Sequence, residues 1–315
     1  MANINDVAKL AGVAKSTVSN VFHKKGYLSE DIIKRVNKAC EELNYHPSFA
    51  ASSLAGQRTG MYGFFIGTEG DMYDPLYGNV MEGMILRSAA KGMHLVVYFA
   101  VGREEMTRIM DGKGPIDGAI LMVPVQDDYR AAALMDRKIE TVMIGTPSGS
   151  TPDILHVDVD NVEMVYTVTN RLIAKGYRTF VLINGRADYS ISQERNIGFY
   201  KALRENAIDL ENCVVINTNS NDKEIYHMVS AYLQNHQKDV AVIDTWDSLA
   251  VERAFHDVGL GEENHCRIFP SSKIFVDYRR VGEESFDLLY EALKGEGKPQ
   301  NRKIPYTIHF DEDLL

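Results

Sequence analysis

Between Ile4 and Phe22 the chain carries a compact set of hydrogen-bonding side chains, Lys15, Ser16, Ser19 and Asn20, spaced i, i+1, i+4 and i+5. On a helix those four share one face. They are donors and acceptors short enough to meet base edges and phosphates. Val18, Val21 and Phe22 fall on the other side. Upstream, Val7, Ala8 and Ala11 make one apolar helical face, and Gly12 follows where a left-handed C-cap residue belongs. Two short helices joined by a tight turn, the second with a polar outer face, form a helix-turn-helix. That unit presents its second helix to the DNA major groove.

Other constellations offer less chemistry. His156, Asp158 and Asp160 alternate with a period of two, so a strand would put all three on one face as a candidate metal cluster. Gly63, Gly67 and Gly70 do not form G-x-G-x-x-G, and no acid closes the second strand at Tyr98 and Phe99. Neither G-x-S-x-G nor a phosphate-binding loop occurs. Cys40, Cys213 and Cys266 are far apart and form no zinc or CxxC pattern. The composition, 45% hydrophobic and 25% charged, is that of a globular chain, with no apolar run of membrane-spanning length and no signal-peptide core. A reduced, cytoplasmic protein without cofactor or membrane partner is expected. The net charge of −10 splits unevenly. Residues 1–60 hold 8 basic against 5 acidic residues, net +3, which leaves 26 against 39, net −13, beyond them. A basic head on an acidic body supports a nucleic-acid partner for the head.

The elements that would position these groups are readable from capping and periodicity. Asn3 is a candidate N-cap for the first helix. Ser29, followed by Glu30 and Asp31, caps a third, whose apolar face is Ile32, Ile33, Val36, Ala39, Cys40 and Leu43. That helix ends at Asn44-Tyr45-His46-Pro47. Residues 48–55 are rich in alanine and serine, too short for a stable isolated helix. Beyond Thr59, strands alternate with helices. Strands are expected at Tyr62–Ile66, His94–Phe99, Ala119–Val123, Thr141–Ile144, Thr179–Ile183, Val214–Ile216, Val240–Ile243, near Ile268 and at Ile304–Phe310. Helices are expected at Tyr77–Ala90, Arg103–Asp111, Tyr129–Asp136, Asn161–Lys175, Gln193–Asn206, Ile225–Asn235, Leu249–Val258 and Gly282–Lys294. The fold class is thus a small all-α helix-turn-helix head, residues 1–47, joined by a linker, 48–59, to an α/β body, 60–315. The body reads as two doubly wound parallel-sheet lobes, which bind ligands at the carboxyl ends of their strands.

The text D-V-A-K-L-A-G-V-A-K-S-T-V-S-N-V, with N-Y-H-P and A-A-S-S-L-A-G downstream, resembles the LacI/GalR family of bacterial transcription regulators. The resemblance spans essentially the whole chain and is most specific in the first 60 residues. It implies DNA reading by Lys15, Ser16 and Asn20, and phosphate positioning by Thr17, Ser19, His23, Lys24, Tyr27 and Ser29. It makes 48–59 a hinge helix that meets the minor groove through Ala51 and Leu54, with Leu54 wedged between central base pairs. It implies a periplasmic-binding-protein-like body, with one lobe of about 60–159 and 278–301 and another of about 160–276 and 302–315. The lobes are joined by crossings near Asp158–Asn161, Phe275–Asp277 and Asn301–Ile304.

The effector candidates it supplies are Thr68, Asp74 and Tyr77 after the first strand, then Asp160 and Arg195 (in the frame E-R-N-I-G-F), then Asp244 and Trp246. The implied protein is a homodimeric, non-enzymatic repressor, bound to a pseudo-palindromic operator and controlled by a sugar-like small molecule in the cleft. Three features depart from the family pattern. Ala14 stands where a capping serine is usual, His23 where an asparagine is common, and the acid expected after the strand near Ile268 is missing from R-I-F-P-S-S-K. Alternatives stay open: a ligand sensor with a vestigial head, a regulator answering to a protein co-regulator, or a metal hydrolase built on His156.

Overall fold

The structure, a computed structural model, describes residues 2–22, 28–45, 59–66, 75–99, 102–111, 116–149, 153–218, 221–295 and 298–311. The chain divides into two compact units, 1–59 and 60–315. In the first, α1 spans Ile4–Ala11, α2 Lys15–Phe22 and α3 Glu30–Glu42. Asn3 caps α1 through a reciprocal pair, its Oδ1 accepting from the Asn5 amide at 2.8 Å while Asp6 accepts from the Asn3 amide at 2.8 Å. Gly12 ends α1 at φ +64°, and the Val13 amide returns to the Ala8 carbonyl at 3.0 Å. Val7, Ala8, Ala11, Val18, Val36 and Ala39 bury together as the core of this unit. Ile33 does not join them. It is 36% exposed, because the third-helix stripe narrows to Ile32, Val36, Ala39 and Cys40.

The second unit holds the strands β1 Met61–Ile66, β2 His94–Phe99, β3 Gly118–Met122, β4 Glu140–Ile144 and β5 Leu155–Asp158, with α4 Pro75–Ala90, α5 Arg103–Asp111 and α6 Tyr129–Asp136 between them. It continues as α7 Asn161–Ala174, β6 Thr179–Asn184, α8 Ser190–Glu205, β7 Cys213–Asn217, α9 Asp222–Asn235, β8 Val240–Asp244, α10 Leu249–Val258 and β9 Arg267–Pro270. It closes with β10 Ile274–Val276, α11 Tyr278–Lys294, β11 Arg302–Lys303 and β12 Tyr306–Ile308. One parallel sheet has the order β11-β5-β4-β3-β1-β2, the other β7-β6-β8-β9. The central strands β3, β6 and β8 are buried along their whole length. That fits parallel strands covered by helices on both faces, and it explains why they read as apolar runs without alternation.

Helices pack closely where glycine permits. A Cβ on Gly282 of α11 would lie 1.9 Å from the Val80 carbonyl of α4, and one on Gly83 would lie 2.1 Å from the Arg279 carbonyl. Gly198 of α8 sits equally close to the backbone of α7.

Two expectations about the crossings need correction. Residues 302 and 303 belong with the first lobe, because β11 pairs in parallel with β5, Arg302 opposite Val157. The terminal strand is only Tyr306–Ile308, and it pairs antiparallel with β10 in a separate ribbon. A two-residue strand carries too little pattern to be read from sequence. Helix starts also come earlier than periodicity places them. α8 begins at Ser190 and α11 at Tyr278, where Asp277 accepts from the Arg280 amide as an N-cap. No described helix is long and apolar enough to cross a membrane.

Candidate functional site

In the head, α2 buries Val18 and leaves Lys15, Ser16 and Asn20 exposed, with Thr17 and Ser19 half-buried beside them. The polar face is therefore available as the spacing requires. Ala14 offers no capping side chain, and its carbonyl receives the first helical bonds, from the Thr17 and Val18 amides. Ser29 caps α3, accepting from the Ile32 amide at 3.4 Å. On α3, Lys34, Arg35 and Lys38 pair with Glu30, Asp31 and Glu42. His23, Lys24, Tyr27, Ala51 and Leu54 lie outside the described residues.

The body contains a cavity of about 600 Å³. Its wall is built from the carboxyl ends of β3, β4, β5, β6, β8 and β9 and the first turns of α4, α7, α8 and α11. That is where doubly wound sheets hold ligands, since the strand ends splay and the helix starts point free N–H groups inward. Tyr77, Arg195, Asp244 and Trp246 all line it. Thr68 and Asp74 lie outside the described residues.

Asp160 is not in the wall. Its carboxylate caps α7 through the Glu163 amide at 3.0 Å and pairs with Lys303 at 2.5 Å, which holds it below the usual carboxylate range. Asp158, two residues earlier, takes the place facing the cavity. It accepts from the Thr146 hydroxyl at 3.0 Å and the Val159 amide at 2.8 Å. Burial, with the nearby Glu194 carboxylate, pushes its carboxyl up to about 7. His156 turns elsewhere, its Nδ1 3.3 Å from the Ile154 carbonyl. Among the described residues no three His, Cys, Asp or Glu side chains converge as a metal would require.

Arg195 projects from α8 with no hydrogen-bond or ion-pair partner among the described residues. Enclosure lowers its pKa, and Tyr278, Asp158 and Glu194 offset part of that. Asp244 is 2% exposed, and burial pushes it up to about 6 although it accepts from the Trp246 amide at 2.9 Å and the Ser248 amide at 2.8 Å. Gly185 makes room for the indole, since a Cβ there would lie 3.2 Å from Trp246 and 3.0 Å from the Ser192 hydroxyl.

The two lobes also touch directly beside the cavity. Val125 and Tyr189 form an antiparallel bridge, the Gln126 amide donates to the Asp188 carbonyl at 2.9 Å, and the Ser190 amide to the Pro124 carbonyl at 3.1 Å. The first-lobe side of this contact is braced by buried Arg130, which pairs with Asp128 and donates to the Met122 and Val123 carbonyls. Sequence reading missed Asp158 as a cavity residue, along with Asn161, Ser192 and Tyr278. Each sits at a strand end or in a helix's first turns, so the signal was position relative to element boundaries. Those boundaries were displaced by three or four residues at α8 and α11.

Known proteins supply the remaining observation. Residues 3–48 match the family described as "Bacterial regulatory proteins, lacI family". The HTH-type transcriptional regulator MalR of Streptococcus pneumoniae is 29% identical over 257 residues, covering 79% of this chain and 77% of that protein. The head, residues 3–48, carries the lacI-family signature. The HTH-type transcriptional repressor PurR of Vibrio atlanticus is 27% identical over 317 residues, covering 93% and 92%. Two solved structures share the fold. A lac repressor dimer bound to operator and the anti-inducer ONPF superimposes with a TM-score of 0.77 at 20% identity, covering 100% of this chain and 99% of that one. A complex of the transcriptional regulator CelR with cellobiose gives 0.70 at 22%, covering 98% and 99%.

Proposed function

We propose that the protein is a sequence-specific DNA-binding repressor of the bacterial cytoplasm, acting by binding and not by catalysis. The observation that carries this is the exposed row Lys15, Ser16 and Asn20 on α2, opposite a buried Val18, within a segment that matches the lacI family. Lysine donates to guanine O6 and N7, and asparagine pairs bidentately with adenine. Thr17, Ser19 and Ser29, with His23, Lys24 and Tyr27, position the head on phosphates, and Ala51 and Leu54 of the linker meet the minor groove.

The protein acts as a homodimer on a pseudo-palindromic site. Supporting this, Ile85 and Leu86 of α4 and Val97 on the edge strand β2 are each more than 40% exposed, an apolar surface suited to a second copy. The cleft holds a small-molecule effector, for which Tyr77, Arg195, Asp244, Trp246 and Asp158 are the contacts. The ligand acts through its differential affinity for the open and closed lobes.

The test is selection of bound duplexes from a random pool at near-physiological salt, where phosphate-driven binding is suppressed. A palindrome with a deformable central pyrimidine–purine step is expected. No enriched sequence, with or without added metabolites, would remove the regulator reading.

A further inference from the structure

The hydrogen-bonding groups around the cleft are lopsided. Its carboxylates, and Glu194 behind the wall, each already accept at least one hydrogen bond within the protein. Asp158 accepts from Thr146, Val159 and Asn161. Asp244 accepts from two backbone amides, Asp247 from the Ser272 amide at 3.1 Å, and Glu194 from Asn161 at 3.0 Å. Thr245 and Asn161 of the wall donate within the protein, but three other donors are not engaged. Arg195 makes no hydrogen bond or ion pair among the described residues, although Asp158 and Glu194 lie within its field, and the indole N–H of Trp246 and the hydroxyl of Ser192 are buried in wall residues without an acceptor. Among the buried side-chain atoms of the described wall residues, the unpaired pure acceptor is Asn161 Oδ1.

A sugar hydroxyl donates as well as accepts, so burying a polyol needs acceptors in the wall. A carboxylate or phosphate only accepts, and its geometry fits the guanidinium fork. Much of the remaining wall is apolar, with Met164, Val165 and Val168 of α7 beside Met122, Phe269 and Ile274. Such surface removes a ring or alkyl chain from water.

We propose that the cleft takes a small organic anion with an apolar body, its carboxylate or phosphate seated on Arg195, in place of the neutral sugar that the resemblance implies. The proposal rests on the cleft being the effector site. Trp246 is the only tryptophan and stands in the wall, so its fluorescence reports occupancy without DNA. The full chain is titrated with phenylacetate and phenyl phosphate against 2-phenylethanol, and with glucuronate and glucose 6-phosphate against glucose.

Saturable responses to the two aryl anions, stronger than to 2-phenylethanol and to all three sugars, are expected; the better of the pair identifies the head group. Arg195→Met should weaken the aryl anions about tenfold or more, the loss of a charge-assisted contact, while leaving 2-phenylethanol unchanged. A preference for glucose over both acids, for the sugar anions over the aryl anions, or no saturable response at all would overturn the proposal. Binding to the selected duplex, measured on the same samples, separates the two failures. Intact operator binding beside a silent or sugar-preferring cleft overturns only the ligand class, and loss of both takes the regulator reading with it.

Discussion

Asp158 shows how a residue's place in the fold sets its chemistry. Its carboxyl titrates near 3.8 when exposed and is pushed up to about 7 in the folded protein by burial and by Glu194. The folded state therefore holds a proton that the unfolded chain releases. That contribution to stability is fully present below about pH 4 and is lost as pH rises through 7. Asp158→Asn keeps an acceptor for the Val159 amide, turns its NH2 toward the Thr146 hydroxyl, which can accept, and cannot ionise. Its Tm should exceed that of the unaltered protein by a margin that grows from pH 4 to 7 and then levels off. A margin independent of pH would show that Asp158 is not the titrating group. The same residue shows what sequence can and cannot say. The period-two pattern of His156, Asp158 and Asp160 was legible. That Asp158 lines the cavity while Asp160 pairs with Lys303, 143 positions away, is encoded by no local pattern.

At the scale of elements, the glycines that let helices meet are the most exacting part of the body. Ala at 282 would set a methyl 1.9 Å from the Val80 carbonyl, so α4 and α11 must separate. Gly282→Ala should cost about 1–3 kcal/mol of overpacking, roughly 2–4 °C of Tm per kcal/mol in a domain of this size. An unchanged melt would mean the helices do not cross so closely. Strands and helices were mostly legible, because buried parallel strands are apolar runs and each amphipathic helix repeats its own spacing. His94–Phe99, Arg103–Asp111, Tyr129–Asp136 and Leu249–Val258 fall where the pattern sets them. The failures sit at helix starts. Ser190 and Tyr278 open their helices inside the cleft, where the lining chemistry of Ser192 and Val281 masks the amphipathic repeat.

At the scale of the whole molecule, a basic DNA-reading head and an acidic two-lobed body divide the work proposed for the protein. The body's contacts beside the cleft, Val125 with Tyr189 and Pro124 with Ser190, lie on loops from opposite lobes. In the regulation proposed above, a cleft ligand biases whether these contacts are made. Such coupling is reciprocal, so a ligand that alters operator affinity must have its own affinity altered by operator to the same degree. In the proposed regulation, α2 reads sequence while Arg195 reads ligand, and this division of labour has a direct readout. It is tested most directly by one quantity, the ratio of affinities for the selected duplex and a scrambled one, measured without ligand at near-physiological salt. The unaltered protein should show a large ratio. Asn20→Ala should lower it by the equivalent of about 1–3 kcal/mol, the worth of one bidentate base contact, and Arg195→Ala should leave it unchanged. A ratio near one for the unaltered protein, or one that Asn20→Ala does not change, would contradict the account.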